Sequence, residues 1–113
     1  MANTRPMALL TTIVERVEDC LVAAWVDTRT GAVLDRRAPR DEAFVTEALE
    51  AAIEVMRSRE RPPRMVLLSE RHTHIVHRAA NDPHRVLVVV CDRSQNLGLA
   101  VSLVRMLMDA EAA

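Results

Sequence analysis

Apolar residues recur along this chain at two spacings, one typical of helices and one typical of strands. Four apolar residues near the start fall three or four positions apart: Met7, Leu10, Ile13 and Val17. This spacing predicts a first amphipathic helix. The run from Cys20 to Val26 is apolar at every position, which is typical of a central strand that is covered on both faces. The chain is therefore predicted to begin with a helix that leads into a buried strand.

A tight turn and a second helix follow this strand. Residues 27–31 are turn formers, and Gly31 suits a backbone with positive φ before Ala32–Leu34 returns as a second strand. Asp41 is placed to cap a helix, and helical spacing then continues to Arg57, shortly before a Pro-Pro pair. We therefore predict a β-hairpin followed by a long helix.

Three more strands and a last helix complete the pattern. The strands are predicted over Met65–Leu68, Thr73–His77 and Val86–Cys91, and the helix begins near Asn96. The resulting order is α-β-β-α-β-β-β-α. Because the hairpin connections are too short for parallel crossovers, the pattern predicts an α+β fold with a five-stranded antiparallel sheet.

The junction between the last strand and the last helix is the most specific segment of the chain. A Val-rich strand is followed by Asp92 and Arg93, and then Asn96, Leu97 and Gly98 open a helix rich in Leu and Val. This segment resembles the roadblock/dynein-light-chain family of small-GTPase regulators, and the element order resembles that family from residue 7 to residue 110. The resemblance implies a roadblock/longin-like sheet, with the first and third helices on one face and the second helix on the other.

The five residues of this junction also have a reading from physical chemistry alone. Asn96 stands where its side chain can bond to the free backbone donors of a helix start. Gly98 would let the helix approach the sheet closely. We therefore expect a structural role for Asp92, Arg93, Asn96, Leu97 and Gly98 rather than an anion site, since only one glycine is present and no basic residue follows until Arg105.

Length and hydropathy predict one globular domain over residues 1–113, with residues 1–6 and 110–113 as flexible ends. The chain has no run of about 18 uncharged apolar residues, so no membrane span is expected. Charged residues interrupt the first twenty positions, and a cytoplasmic location is the expectation. Cys20 and Cys91 both lie in apolar runs and are expected to be reduced, buried side chains.

Composition excludes several classes of function. All 15 basic residues are Arg, so the chain lacks the Lys that a P-loop or a Schiff base requires. The net charge is −1, and the chain has one Phe, one Trp and no Tyr, which argues against nucleic acid as a partner. No nucleophile elbow and no isolated pair of carboxylates is present. We therefore expect no enzyme activity, no catalytic residue and no cofactor.

The histidines raise the question of a metal site. His72 and His74 are two residues apart on a predicted strand and therefore point to the same face, whereas His77 points to the other. A zinc site needs three or four convergent ligands. We therefore expect no metal, and we interpret these residues as ordinary histidines on a solvated sheet surface or turn.

The second helix has more apolar surface than one sheet can cover. Its apolar residues spread over an arc of roughly 200°, about twice what such a helix needs: Phe44, Val45, Ala48, Leu49, Ala51, Ala52, Ile53, Val55 and Met56. Alanine is a good helix former in its own right, and without the alanines the apolar stripe of the helix is narrower. Phe44 and Val55 are nevertheless poor choices for a solvent face, which favours a second buried surface.

The family resemblance supplies a partner for this surface, because roadblock-like domains pair through this helix and the strand that follows it. It implies a homodimer with a continuous ten-stranded sheet. The candidates for the core and the dimer seam are Val45, Leu49, Ile53, Met56, Met65 and Leu67. The sequence does not divide these residues between the sheet and the second copy.

The resemblance also implies a function. Bacterial relatives bind Ras-like small GTPases and modulate their nucleotide cycle, so we expect a non-enzymatic homodimer that binds such a GTPase or another signalling protein. Two alternatives stay open from the sequence. One is a passive dimeric scaffold that does not sense nucleotide, and the other is a small-ligand or metal sensor, which rests only on the histidine content.

Overall fold

The computed structural model describes residues 4–39, 43–57, 64–80, 82–93 and 96–112. These residues form three helices and five strands in the order α-β-β-α-β-β-β-α, which confirms the prediction. The elements are α1 (Thr4–Arg16), β1 (Cys20–Asp27), β2 (Val33–Arg37), α2 (Ala43–Arg57), β3 (Arg64–Leu68), β4 (His72–Ala79), β5 (Asp82–Asp92) and α3 (Leu97–Ala112). None of the helices in this part of the chain is long and apolar enough to cross a bilayer.

The strands form one sheet with the order β2-β1-β5-β4-β3, and every neighbouring pair is antiparallel. The predicted antiparallel five-stranded sheet is therefore confirmed. Strands β1, β5 and β4 occupy its interior, whereas β2 and β3 are its two edges.

Strand β5 carries core side chains on both faces of the sheet. Val86, Val88 and Val90 belong to the cluster beneath α2. The alternate side chains Leu87, Val89 and Cys91 belong to the cluster beneath α1 and α3. All six are at most 4% exposed. Since burying one such side chain contributes about 1.5–3 kcal/mol, this strand stabilises both layers of the core.

The three helices cover the two faces as the family resemblance implies. Leu9, Leu10 and Ile13 of α1 pack together with Ala100, Val104 and Met108 of α3 in one cluster. On the other face, α2 contributes Ala48, Leu49, Ala52 and Ile53. The core is therefore two apolar layers separated by the sheet.

The predicted turn between β1 and β2 is confirmed. Gly31 has φ of 76°, a conformation that glycine adopts without steric cost. Its N–H donates to the Asp27 carbonyl at 2.8 Å. The Asp27 carboxylate accepts a hydrogen bond from the backbone N–H of Arg29, also at 2.8 Å. The turn therefore satisfies its polar groups locally.

Three strands extend further than their apolar residues predict, and β4 runs from His72 to Ala79 rather than from Thr73 to His77. Strand β2 continues past Leu34 to Arg37, where Arg37 pairs with Ala23 of β1. Strand β5 begins at Asp82 rather than Val86. Backbone pairing sets the length of a strand, and side chains that face solvent at the rim of a sheet do not have to be apolar. The predicted cap at Asp41 and the Pro-Pro stop lie outside the described residues.

The start of α3 confirms one expectation and corrects another. The side chain of Asn96 accepts a hydrogen bond from the backbone N–H of Leu99 at 3.1 Å, which is the predicted cap. The expectation that Gly98 permits a close approach to the sheet is wrong. Gly98 is exposed, and a Cβ added there would meet only the Asn96 side chain, at an ordinary 3.7 Å. Asp92 and Arg93 are also exposed, and Leu97 is 36% exposed.

Replacement of a core leucine tests the packing. Leu10 of α1 is fully buried, whereas Leu99 of α3 is 52% exposed. We expect Leu10→Ala to lower the free energy of unfolding by about 3 kcal/mol, because it removes buried surface and leaves a cavity. The matched Leu99→Ala variant should change it by less than about 0.5 kcal/mol. Urea denaturation at one protein concentration measures both, and equal losses would contradict the assigned core.

The start of α3 allows a second prediction, because substitutions at Asn96 and at Gly98 should differ in their effect on stability. Asn96→Ala should destabilise the protein by about 1 kcal/mol, because the cap is lost. Gly98→Ala should be neutral or stabilising by up to about 1 kcal/mol, since the added methyl group fits and alanine favours the helix. Thermal denaturation of the two variants checks this, and a large loss at Gly98 would show that a close contact exists there.

Candidate functional site

The free edge of β3 is the most distinctive surface of the sheet. Among the strands that the structure describes, β3 is hydrogen-bonded only to β4. Met65 and Leu67 are half-buried on the face of α2, where Met65 packs against the core cluster. The alternate residues Val66 and Leu68 are 40% and 57% exposed. An edge of this kind leaves backbone donors and acceptors available to a further strand.

The opposite edge of the sheet has a different character. Strand β2 contains Asp35, Arg36 and Arg37 in its last three positions. Arg36 also reaches across to α2, where its guanidinium donates to the hydroxyl of Thr46 at 3.2 Å. Charged side chains on an edge strand discourage pairing with another chain. Strand β3 has a charge only at its first residue, Arg64, so β3 is the unprotected edge.

Helix α2 flanks this edge. Leu49 is 2% exposed and Ile53 is 8% exposed, and both pack on the sheet within the single chain. Ala51 faces solvent. The side chains of Val45 and Met56 lie outside the described residues. The described candidates therefore divide between core positions on α2 and half-buried positions on β3.

The pattern of β3 contains two surface residues that the sequence analysis did not select. Val66 pairs with Ile75 of β4, whose side chain belongs to the cluster beneath α1 and α3. Val66 and Leu68 therefore occupy the face opposite to α2. Their alternation with Met65 and Leu67 was the signal that could have placed them, since successive strand residues point to opposite faces.

Arg93 ties the end of β5 to the turn between β3 and β4. Its backbone N–H donates to the carbonyl of Arg71 at 3.2 Å, and its guanidinium donates to the carbonyl of Ser69 at 3.1 Å. The hydroxyl of Ser69 in turn donates to the carbonyl of His72 at 3.2 Å. These contacts hold the turn that follows β3.

An open cleft of about 430 Å³ lies at this end of the sheet. It is lined by Leu21, Glu70, Arg71, His72, Asp92 and Arg93. Its lining combines charged side chains of both signs with the apolar Leu21. No group of three or more His, Cys, Asp or Glu residues in the described ranges could hold a metal ion.

His74 differs from the expectation of a solvated histidine. It lies on the same face of β4 as His72, as predicted, with the two rings 6.2 Å apart. It is only 5% exposed, however, because α2 covers this face near Ala48. Within the described residues its Nε2 atom has no hydrogen-bond partner. Burial lowers the pKa of His74, against the opposing effect of the backbone at Leu67 and Ala48.

The position of His74 couples the core to the β3 edge. Its register partner on β3 is Leu67, so the neutral ring lies directly beside the unprotected strand. Protonation would place a charge between β3, β4 and α2, which is costly without a partner. The ring must therefore stay neutral for this face to pack as described.

The lowered pKa of His74 predicts a pH dependence of stability. Unfolded chains take up the proton near pH 6.5, whereas the folded protein resists it. The free energy of unfolding should therefore fall as the pH decreases below about 6.5, with a contribution from this residue of at most about 1.4 kcal/mol per pH unit. His74→Leu should remove that contribution.

Urea denaturation between pH 8 and pH 5 measures this effect, because the carboxylates titrate in every variant and cancel in the comparison. The control is His84→Gln, since His84 is exposed. A stability profile of His74→Leu that runs parallel to the profile of the wild type would contradict the assignment.

Comparison with known proteins adds an independent observation on the fold. No protein-family model and no curated protein matches the sequence of this chain. Solved structures do match. MglC from Myxococcus xanthus is similar with a TM-score of 0.76 at 16% identity, over 96% of this chain and 97% of that one.

Two further solved structures are similar to this chain in fold. The gliding protein MglB from Thermus thermophilus is similar with a TM-score of 0.69 at 22% identity, over 98% of this chain and 88% of that one. A Roadblock/LC7 domain from Streptomyces avermitilis gives a TM-score of 0.66 at 15% identity, over 91% of each chain. Identities this low establish shape and not activity. The chain has the roadblock/LC7 fold.

Proposed function

We propose that this protein is a homodimer that binds a Ras-like small GTPase in the cytoplasm and modulates its nucleotide cycle. The observation that carries the proposal is the unprotected apolar edge of β3 beside α2, in a fold shared with MglC and MglB. The identity of the partner class rests on the sequence resemblance to the roadblock/dynein-light-chain family.

The dimer half of the proposal follows from the contrast between the edges. Two copies of β3 that pair across a two-fold axis satisfy each other's backbone groups and form one ten-stranded sheet. The half-buried side chains of Met65 and Leu67 then become covered by the second copy. The charged end of β2 disfavours the same pairing at the other edge, so the assembly stops at two copies.

The regulatory half needs no catalytic residue on this chain. A protein that binds the GTP-loaded and GDP-loaded states of a GTPase with different affinities shifts the balance between them. A scaffold that binds both states equally shifts nothing. Nucleotide dependence of binding is therefore the property that separates a regulator from a passive adaptor.

A charge on the β3 edge tests the dimer. Val66→Lys places an ammonium group on each strand near the two-fold axis, where desolvation and repulsion oppose pairing. We expect a dimer for the wild type and a monomer for this variant, measured by light scattering at micromolar concentration.

The control is Leu34→Lys, because Leu34 is 50% exposed on β2 while Val66 is 40% exposed on β3. This variant should stay dimeric, and circular dichroism shows whether both variants are folded. A monomeric wild type, or dissociation of the β2 variant alone, would contradict the proposed interface.

The partner is tested with the protein as bait in the lysate of its source cells, in parallel with a non-hydrolysable GTP analogue and with GDP. We expect a small GTPase to be retained in one nucleotide state. The purified GTPase is then titrated in both states, and the affinities should differ about tenfold or more, which is about 1.4 kcal/mol. Equal affinities would reduce the protein to a scaffold, and absence of any GTPase would overturn the proposed partner.

A further inference from the structure

Two cysteines face each other across the two central strands. Cys20 is the first residue of β1, and its register partner is Cys91, one residue before the end of β5. Both side chains belong to the core cluster beneath α1 and α3, so they leave the sheet on the same face. Both thiols are free, and the Cys20 thiol donates to the carbonyl of Val22 at 3.6 Å.

The register of the pair favours a disulfide, and the ladder is irregular directly after it, between Cys20 and Val22. Residues directly opposite in an antiparallel ladder have Cα atoms about 4.5–5.5 Å apart, and disulfides span Cα separations of about 4.4–6.8 Å. Joining the sulfur atoms then requires side-chain rotation and a local adjustment at this irregular strand end.

The surrounding backbone holds the two strand ends in place. The N–H of Cys20 donates to the carbonyl of Val17 at 3.3 Å, and the N–H of Asp92 donates to the carbonyl of Asp19 at 3.2 Å. Asp19 has φ of 58°, so the chain turns sharply into β1. The pair is therefore held at the point where this turn meets the end of β5.

The two thiols differ in access. Cys20 is 6% exposed and Cys91 is fully buried. The adjacent Cys20 thiol, together with burial, raises the pKa of Cys91. Cys20 is therefore the more accessible thiol, which a small oxidant reaches first, and Cys91 is placed to react second.

We propose that Cys20 and Cys91 are a reversible oxidation site that closes to an intramolecular disulfide on exposure to a hydroperoxide. The sulfur of Cys20 attacks the O–O bond, which gives a sulfenic acid and the first molecule of water when hydrogen peroxide is the oxidant. The sulfur of Cys91 then attacks the sulfur of Cys20, and the hydroxyl group leaves as the second water with the remaining thiol proton. The peroxide gains two electrons, and each thiol loses one.

The bond would lock the central strand pair of the folded protein. It closes a loop of about 70 residues, which restricts the unfolded chain. It also constrains the cleft at this end of the sheet, because Leu21 follows Cys20, Asp92 follows Cys91, and both residues line that cleft. The oxidised protein should therefore be more stable and have a less adaptable cleft.

The experiment treats the purified, folded chain with hydrogen peroxide and then alkylates the remaining thiols in denaturant. We expect loss of both alkylation sites, a mass decrease of about 2 Da per chain, and full recovery with dithiothreitol. The melting temperature should rise by about 10 °C on oxidation and fall back on reduction. Thiols that both remain reactive, or disulfides that link only separate chains, would overturn the proposal.

Two matched variants complete the test. Cys20→Ala and Cys91→Ala each retain one thiol, so neither should show a reductant-sensitive rise in melting temperature. The same rise in either variant would contradict the pair as its source. A peptide map of the wild type must contain Cys20 linked to Cys91, which decides the outcome even where a variant fails to fold. Formation of the link only after denaturation would also count against the proposal.

Discussion

The antiparallel pairing of β1 with β5 is the interaction on which the remaining structure depends. Seven register pairs join the two strands, from Cys20–Cys91 to Asp27–Arg85, and their side chains supply apolar layers to both faces of the sheet. The helices pack on these layers because the central strands are apolar on both faces. Exposure of those faces to water would be unfavourable. Strand β2 extends the sheet beside β1, and β4 and β3 extend it beside β5. The residues of β2 and β3 then determine which edge is charged and which is apolar.

The difference between the edges links the fold to the proposed function. A charged edge resists a further strand, whereas an apolar edge with free backbone groups invites one. Strand β3 is of the second kind, and the neutral, buried ring of His74 lies beside it. The unprotected edge and α2 therefore flank the same buried histidine. Packing within one chain and association with a second copy therefore involve the same strand, β3.

Periodicity was sufficient to predict the element order, because apolar spacing reflects burial directly, whereas the placement of the helices on the two faces came from the family resemblance. Periodicity was insufficient where burial depends on a distant element. His74 is polar, and only the position of α2 buries it. Gly98 was expected to allow a close approach, but its exposed position reflects how α3 enters the fold. The end of β2 at Arg37 follows from pairing with β1, and charged residues give no local indication of such pairing.

The central claim is that two copies of the protein associate through the free edge of β3. Hydrogen–deuterium exchange of the β3 amides tests this claim most directly. Amides of residues 64–68 that do not bond to β4 are open in a single chain and paired in the proposed dimer. The account predicts that their protection increases as the protein concentration rises from nanomolar to tens of micromolar, while the outer amides of β2 stay unprotected. Fast exchange along β3 at every concentration would contradict it.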